Sequence, residues 1–284
     1  MSNLKVFYRR FYGNRIALVA LVVLSLIITA GLLSDVIAPA DTVRIDLDNS
    51  LRPPSLEHPM GTDSFGRDLF SRVARGSRVS LGVGLAARTI SLFIGLVMGV
   101  IAGIYGGRTD SVIMRLADIT FAFPTLLLLV AIMAVVAPGI STLITVLGIV
   151  GWAAIARLVR AQVMAVRERE YVQAAQSSGA GNISLVIKHI LPQCLSPVIV
   201  VYTMGLGMTI MAESSLSFLG LGVQPPSPSW GRMISDGIIF MRSAWWLTIF
   251  PGIILSLTIC SLNLLGDGLR DAFDPKYIYS KGKE

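Results

Sequence analysis

The chain alternates long apolar blocks with short polar stretches, and six of the blocks can each hold a helix of about 20 residues. They cover approximately 16–36, 79–105, 119–137, 140–158, 194–214 and 244–265. The third and fourth are separated only by Pro138-Gly139, a tight-turn pair that predicts an antiparallel hairpin of helices. In the second block Gly95, Gly99 and Gly103 recur at every fourth position, which puts them on one helix face. Missing side chains there predict the close approach of a second helix. The pattern as a whole predicts an all-α integral membrane protein with about six transmembrane helices.

Composition agrees with the pattern. Of 284 residues, 54% are hydrophobic and only 14% charged, with a mean hydropathy of +0.71. A soluble domain carries about 25% charged residues, so this chain lacks the means to cover a compact globule with a wet surface. The two cysteines, Cys194 and Cys260, sit inside apolar blocks and read as small buried hydrophobes, which excludes a disulfide scaffold. The net charge of +7 is scattered over short loops, so it speaks for membrane anchoring and orientation and not for nucleic acid.

The first block follows Lys5, Arg9, Arg10 and Arg15, as in a signal peptide, and Ala38-Pro39-Ala40 offers a small-residue pattern after it. The apolar run exceeds the roughly 7–15 residues of a signal-peptide core, which favours a retained anchor. With the N-terminus inside, fifteen Lys and Arg fall on inner segments and eight on outer ones, Arg88 lying within the second block. This bias predicts both termini in the cytoplasm. The run Arg67–Arg78 then lies outside, as an amphipathic helix or as a solvated face.

Catalytic signatures are missing. The sequence has no phosphate-cradling G-x-x-x-x-G-K-[ST], no H-E-x-x-H and no C-x-x-C, and its two histidines, His58 and His189, fall on opposite sides of the membrane. This predicts no catalytic residue, no cofactor and no metal site. Asp118, Glu213 and Asp267 fall near helix ends, where water can solvate them, and read as interfacial anchors or inter-helix pairs. Arg88 alone stands inside a span. A proton- or sodium-driven transporter would show more such residues at mid-membrane, so any transport work draws its energy from outside this chain.

The longest inner loop, approximately 159–191, carries the strongest signal. A helix-compatible stretch through Tyr171, Gln173, Ala174 and Ala175 meets Ser177-Ser178-Gly179, where glycine permits the left-handed conformation of a helix end. After Ala180 a short amphipathic helix follows, with Ile183, Val186, Ile187 and Ile190 on one side. Leu191-Pro192 limits its continuation, since proline lacks the backbone donor. The product is an elbow whose apolar face suits a partner's groove.

Gln173-Ala174-Ala175, three residues, Gly179, nine residues, then His189-Ile190-Leu191-Pro192 resembles the E-A-A-x3-G-x9-I-x-L-P coupling motif of membrane subunits of type I ATP-binding-cassette importers. Gln173 replaces the motif's Glu, and His189 stands where Ile is usual, as in an H-I-L-P variant of peptide and nickel permeases. Three further segments resemble the C-type permease of the dipeptide/oligopeptide/nickel family: His58-Pro59-Met60-Gly61-Thr62-Asp63 through Asp68, Ser217-Phe218-Leu219-Gly220-Leu221-Gly222 with Pro225-Pro226 and Trp230-Gly231, and Asn263 through Asp271 with Asp274-Pro275.

The resemblance implies a non-catalytic permease subunit of the bacterial or archaeal cytoplasmic membrane. It implies four kinds of neighbour: a homologous second permease, two cytoplasmic ATPases, an extracytoplasmic solute-binding protein and the lipid bilayer. Gly179 would set the elbow's bend, Ala174 and Ala175 allow close packing, and Ile183, Val186 and Ile187 fill the ATPase groove. Pro192 would fix where the elbow joins the fifth helix. Trp230, Trp245 and Trp246 read either as part of an outer docking surface or as interfacial anchors. Residues 1–77 then form the tail, first helix and large outer loop, 78–267 the transport domain, and 268–284 a cytoplasmic tail. Peptides are the favoured solute and nickel the alternative; an ion-driven transporter and a non-transporting scaffold are the more distant readings.

Overall fold

A computed structural model describes residues 3–37 and 43–273, with the side chains of residues 3–6 excepted. Ala38-Pro39-Ala40, Asp274-Pro275 and most of the C-terminal tail lie outside the described residues. The secondary structure of the described residues is helical, with no strand among them. The elements are α1 (Asn3–Gly13), α2 (Arg15–Leu32), α3 (Ser34–Ile37), α4 (Leu69–Tyr105), α5 (Gly107–Phe121), α6 (Thr125–Met133), α7 (Ile140–Val150), α8 (Trp152–Arg167), α9 (Glu170–Ser177), α10 (Asn182–Leu185), α11 (Leu191–Phe218), α12 (Trp230–Ile238) and α13 (Trp246–Phe273). Five helical stretches are long and apolar enough to cross a membrane, and a bent sixth qualifies if its two halves count as one.

α2 buries Ala17, Ala20, Leu24, Ile27 and Gly31, a single stripe at helical spacing, against α4 and α13. Leu24 and Ile27 share a core with Trp246 and Leu262, so the first apolar block is an integral wall of the bundle. α4 begins ten residues ahead of the predicted span because the Asp68 side chain accepts the Ser71 N–H at 2.8 Å and caps it. Its 37 residues reach about 55 Å, well past a hydrocarbon core of about 30 Å.

The glycine face of α4 meets α8 as the spacing predicts. A Cβ on Gly95 would stand 2.6 Å from Ile155 Cβ, and one on Gly99 2.6 Å from the Ala156 carbonyl and 2.7 Å from Val159 Cβ. One on Gly103 would stand 2.7 Å from Val163 Cβ. The two helices run parallel, since rising numbers on one meet rising numbers on the other. Gly99→Leu is expected to force them apart and cut membrane-inserted protein several-fold, as read by quantitative blotting of membranes. Undiminished abundance would refute the close-packed seam.

The third predicted span, 119–137, is not one helix. α5 and α6 meet at 85° across Ala122-Phe123-Pro124. Pro124 lacks an N–H and drives its predecessor out of the helical region, which ends α5. The fourth span is longer than predicted: α7 and α8 continue through Gly151, whose backbone stays helical, to give 28 residues. Gly151 is small because Ser91 Oγ already occupies the space its Cβ would take.

The fifth is longer still. α10 passes into α11 through a π-turn at Val186–Ile190, so residues 182–218 form one helical run. Pro192 therefore does not stop the helix. It has no N–H to give the Lys188 carbonyl, and the turn before it widens until the Leu191 N–H reaches the Val186 carbonyl.

Candidate functional site

The elbow is built at the end of the bundle where α4 and α8 finish. α9 closes in a Schellman turn: the Gly179 N–H donates to the Gln176 carbonyl at 3.0 Å and the Ala180 N–H to the Ala175 carbonyl at 3.1 Å. Gly179 takes φ +87°, open to glycine without strain. The two alanines of the motif divide their work. Ala175 and Ala180 pack against the core as the turn's apolar contact, while Ala174 is exposed. The Ala-Ala-x3-Gly spacing is thus the spacing of a helix-ending turn with its packing residue.

Beneath the elbow, Val172, Leu185 and Ile190 are buried with Val163, Val166, Cys194 and Val198. Above it, Ile183 is 77% exposed, Ile187 60% and Tyr171 43%. Gln173 and Pro192 are exposed, and Val186, His189 and Leu191 half-buried. The predicted single face therefore splits. Ile183 and Ile187 look outward, whereas Ile190 turns into the core, because the π-turn changes the angular spacing after Leu185.

Polar contacts fasten the elbow's base. Arg160 makes a double hydrogen bond to Asp110, joining α8 to α5. Arg157 donates to Asp118 at 2.6 Å and lies over the Phe121 ring at 4.5 Å, and Arg167 donates to the Ile104 carbonyl at 2.7 Å. Asp118 is the inter-helix pair anticipated from its position.

At the opposite end the segment 43–68 forms a clasp over the start of α4. Asp63 accepts the N–H groups of Phe65 and Arg67 at 2.9 and 3.0 Å, and its carboxylate meets Arg67 Nε at 2.7 Å and Arg72 Nε at 3.4 Å. His58 Nδ1 lies 3.0 Å from Asp68. Arg75 and Arg78 both reach Asp35. The run Arg67–Arg78 is consequently ion-paired throughout, largely buried where Arg67 and Arg72 meet Asp63 and solvated where Arg78 meets Asp35. A cavity of about 700 Å³ opens beside it, with Asp63, Arg67, Arg72, Arg232 and Asp236 among its lining.

Three predicted placements are overturned here. Trp230 is fully buried, its indole N–H donating to the Val73 carbonyl at 3.3 Å. Trp246 is buried, donating to the Thr62 carbonyl at 3.2 Å; only Trp245 stays exposed. Glu213 is not solvated. It has no exposed surface, and Ser217 and Ser214 donate to it at 2.8 and 3.1 Å, with Ser80 of α4 beside it. Ser217 Oγ in turn accepts the Val223 N–H at 3.1 Å, so Glu213 organises the turn after α11. Cys194 is buried as expected, but Cys260 is exposed on α13.

These segments, gathered at two ends of a bundle with five or six candidate crossings, agree with one family. Residues 95–279 match the binding-protein-dependent transport system inner membrane component. The chain belongs to that family. Residues 2–54 of this permease match the N-terminal TM domain of oligopeptide transport permease C. It is 40% identical over 269 residues to the dipeptide transport system permease protein DppC of Alkalihalophilus pseudofirmus, covering 95% of this chain and 88% of that one. It is 41% identical to the oligopeptide transport system permease protein OppC of Bacillus subtilis, over 94% of this chain and 88% of the other. It is 42% identical to the glutathione transport system permease protein GsiD of Escherichia coli, over 95% and 89%. This permease is the non-catalytic membrane component of an ATP-binding-cassette importer, whose system includes ATPase and substrate-binding partners.

Proposed function

We propose that this permease forms half of a peptide-import pathway in a bacterial cytoplasmic membrane, with both termini in the cytoplasm. A homologous second permease supplies the other half, two ATPases seat the elbows, and an extracytoplasmic binding protein delivers solute to the clasp end. The relatives named for dipeptides, oligopeptides and glutathione support a peptide as the cargo. Tyr171, Gln173, Ala174, Ile183, Val186 and Ile187 lie along the docking face in this reading, while Ala175, Gly179 and Ala180 hold its shape. His189, Ile190, Leu191 and Pro192 carry the elbow's motion into α11 through the π-turn.

One observation carries the reading. Ile183 of α10 and Ile187 of the π-turn are both exposed, four residues apart, while Leu185 and Ile190 of the same run are buried. An exposed apolar pair on a rigid elbow is suited to a groove on a partner. A conformational change in that partner then moves the elbow only because the contact differs between the partner's states.

The test is mild-detergent purification of the tagged full chain, with mass spectrometry of what accompanies it. The second permease and the ATPases are expected. The double substitution Ile183→Asp/Ile187→Asp is expected to keep the second permease and lose the ATPase by about tenfold or more. A chain that purifies alone as a homo-oligomer, or a doubly substituted chain that retains its ATPase, overturns the elbow's role.

A further inference from the structure

Arg88 stands at the middle of α4, about 26 Å along the helix from Tyr105 and about 28 Å from Leu69. Its side chain crosses to α11, where it donates to the Val201 carbonyl at 2.6 Å and to the Tyr202 carbonyl at 3.4 Å. Those acceptors lie near the middle of α11 as well. Gly205 clears the space, since a Cβ there would collide with the guanidinium. The site is thus shaped around an arginine at the depth where charge is most costly.

No carboxylate among the described residues pairs with Arg88. The two carbonyls engage two of its five N–H groups and carry no formal charge. Beside it, Thr89 Oγ1 and the Tyr202 hydroxyl are hydrogen-bonded to each other at 3.0 Å on an exposed face. Two hydroxyls at the surface, with an uncompensated cation buried behind them, are a poor face for lipid and a good one for an aqueous path. What they lack is an anion.

We propose that Arg88, with Thr89 and Tyr202 in front of it, is a mid-membrane station for the terminal carboxylate of a peptide in transit. The inference rests on the peptide-import reading and deepens it. A free carboxylate is common to linear peptides of any sequence, so a single cation recognises the class without selecting among side chains. Guanidinium matches carboxylate with paired N–H donors. Thr89 donates to the Leu85 carbonyl at 2.8 Å, so the Tyr202 hydroxyl is the donor in their pair and supplies a further donor once it parts from Thr89. The bond must break again for transport to proceed, and the backbone carbonyls stand ready to take the guanidinium back.

The test uses Thr89→Cys with Cys260→Ser in the assembled importer, leaving the buried Cys194 in place. Rates of modification by the anionic sulfonatoethyl and the cationic trimethylammonioethyl methanethiosulfonates are measured and normalised to a free thiol. Both reagents are expected to reach the introduced thiol, with the anionic one favoured about tenfold, a preference lost with Arg88→Met and kept with Arg88→Lys. A peptide with a free C-terminus is expected to slow the reaction, and its C-terminal amide is not. No reaction with either reagent, or equal protection by acid and amide, overturns the proposal. So does loss of the second permease on Arg88→Met, which would make a partner carboxylate the counter-charge. The importer reading fails separately, if the unsubstituted complex shows no ATP-driven peptide uptake.

Discussion

Gly179→Val is expected to reduce peptide uptake about tenfold or more while ATP hydrolysis and membrane insertion persist. A Cβ on Gly179 would meet nothing within 4 Å, so the effect does not come from a clash. It comes from φ +87°, which a β-branched residue adopts only at a cost of about 2 kcal/mol. The turn is held by two backbone hydrogen bonds and the packing of Ala175 and Ala180 against the core, and it reorganises before it bears that strain. Ile183 and Ile187 then lose their fixed relation to α9. Gly179→Asn is the control, because asparagine tolerates the left-handed region and is expected to keep most of the uptake. The measurement is ATP hydrolysis and uptake side by side in proteoliposomes carrying the whole importer. Full uptake by the valine variant would remove the turn from the coupling path.

Gly231→Ala is expected to be strongly damaging where α12 packs on α11 at the clasp end. A Cβ there would collide with the Ser214 carbonyl oxygen and lie 2.7 Å from Ser214 C and Cα, all backbone atoms of α11. No rotamer change relieves that contact, so α12 must back away from α11. The retreat disturbs Trp230, buried beside it, and Glu213 with its serine donors. A cost of about 3 kcal/mol, the upper end for overpacking, is expected, seen as a lower thermal midpoint in detergent and reduced abundance in membranes. Gly252→Ala serves as the comparison. It lies in α13 with nothing within 4 Å and is expected to be neutral or slightly stabilising, since alanine favours helix. Equal behaviour of the two variants would mean that the α11–α12 contact is not close.

The elbow's turn was legible because its features are local. A Schellman turn is closed by residues five apart, so Ala175, Gly179 and Ala180 announce it in their spacing. The glycine stripe of α4 was legible for the same reason, since helical period alone puts Gly95, Gly99 and Gly103 on one face. The break at Pro124 also has a local cause, but hydropathy alone merges α5's end with α6 into one apolar block. The π-turn escaped notice because Pro192 announces only a missing donor. It does not say whether the helix stops or widens.

Residue order was therefore enough for the membrane class, the apolar crossings, the existence of a glycine seam and the bend of the elbow, all consequences of interactions within one or two helical turns. Which partner each residue meets was settled by packing alone. Trp246 looked interfacial until the clasp placed Thr62 against its indole, and Glu213 looked solvated until Ser80 and the turn after α11 closed over it. Arg88 was visible as a charge within a span. That it faces the carbonyls of residues 113 and 114 positions away, and no carboxylate, is a property of how α4 and α11 pack. Burial and ion pairing depend on neighbours brought from across the chain, and periodicity carries no record of them.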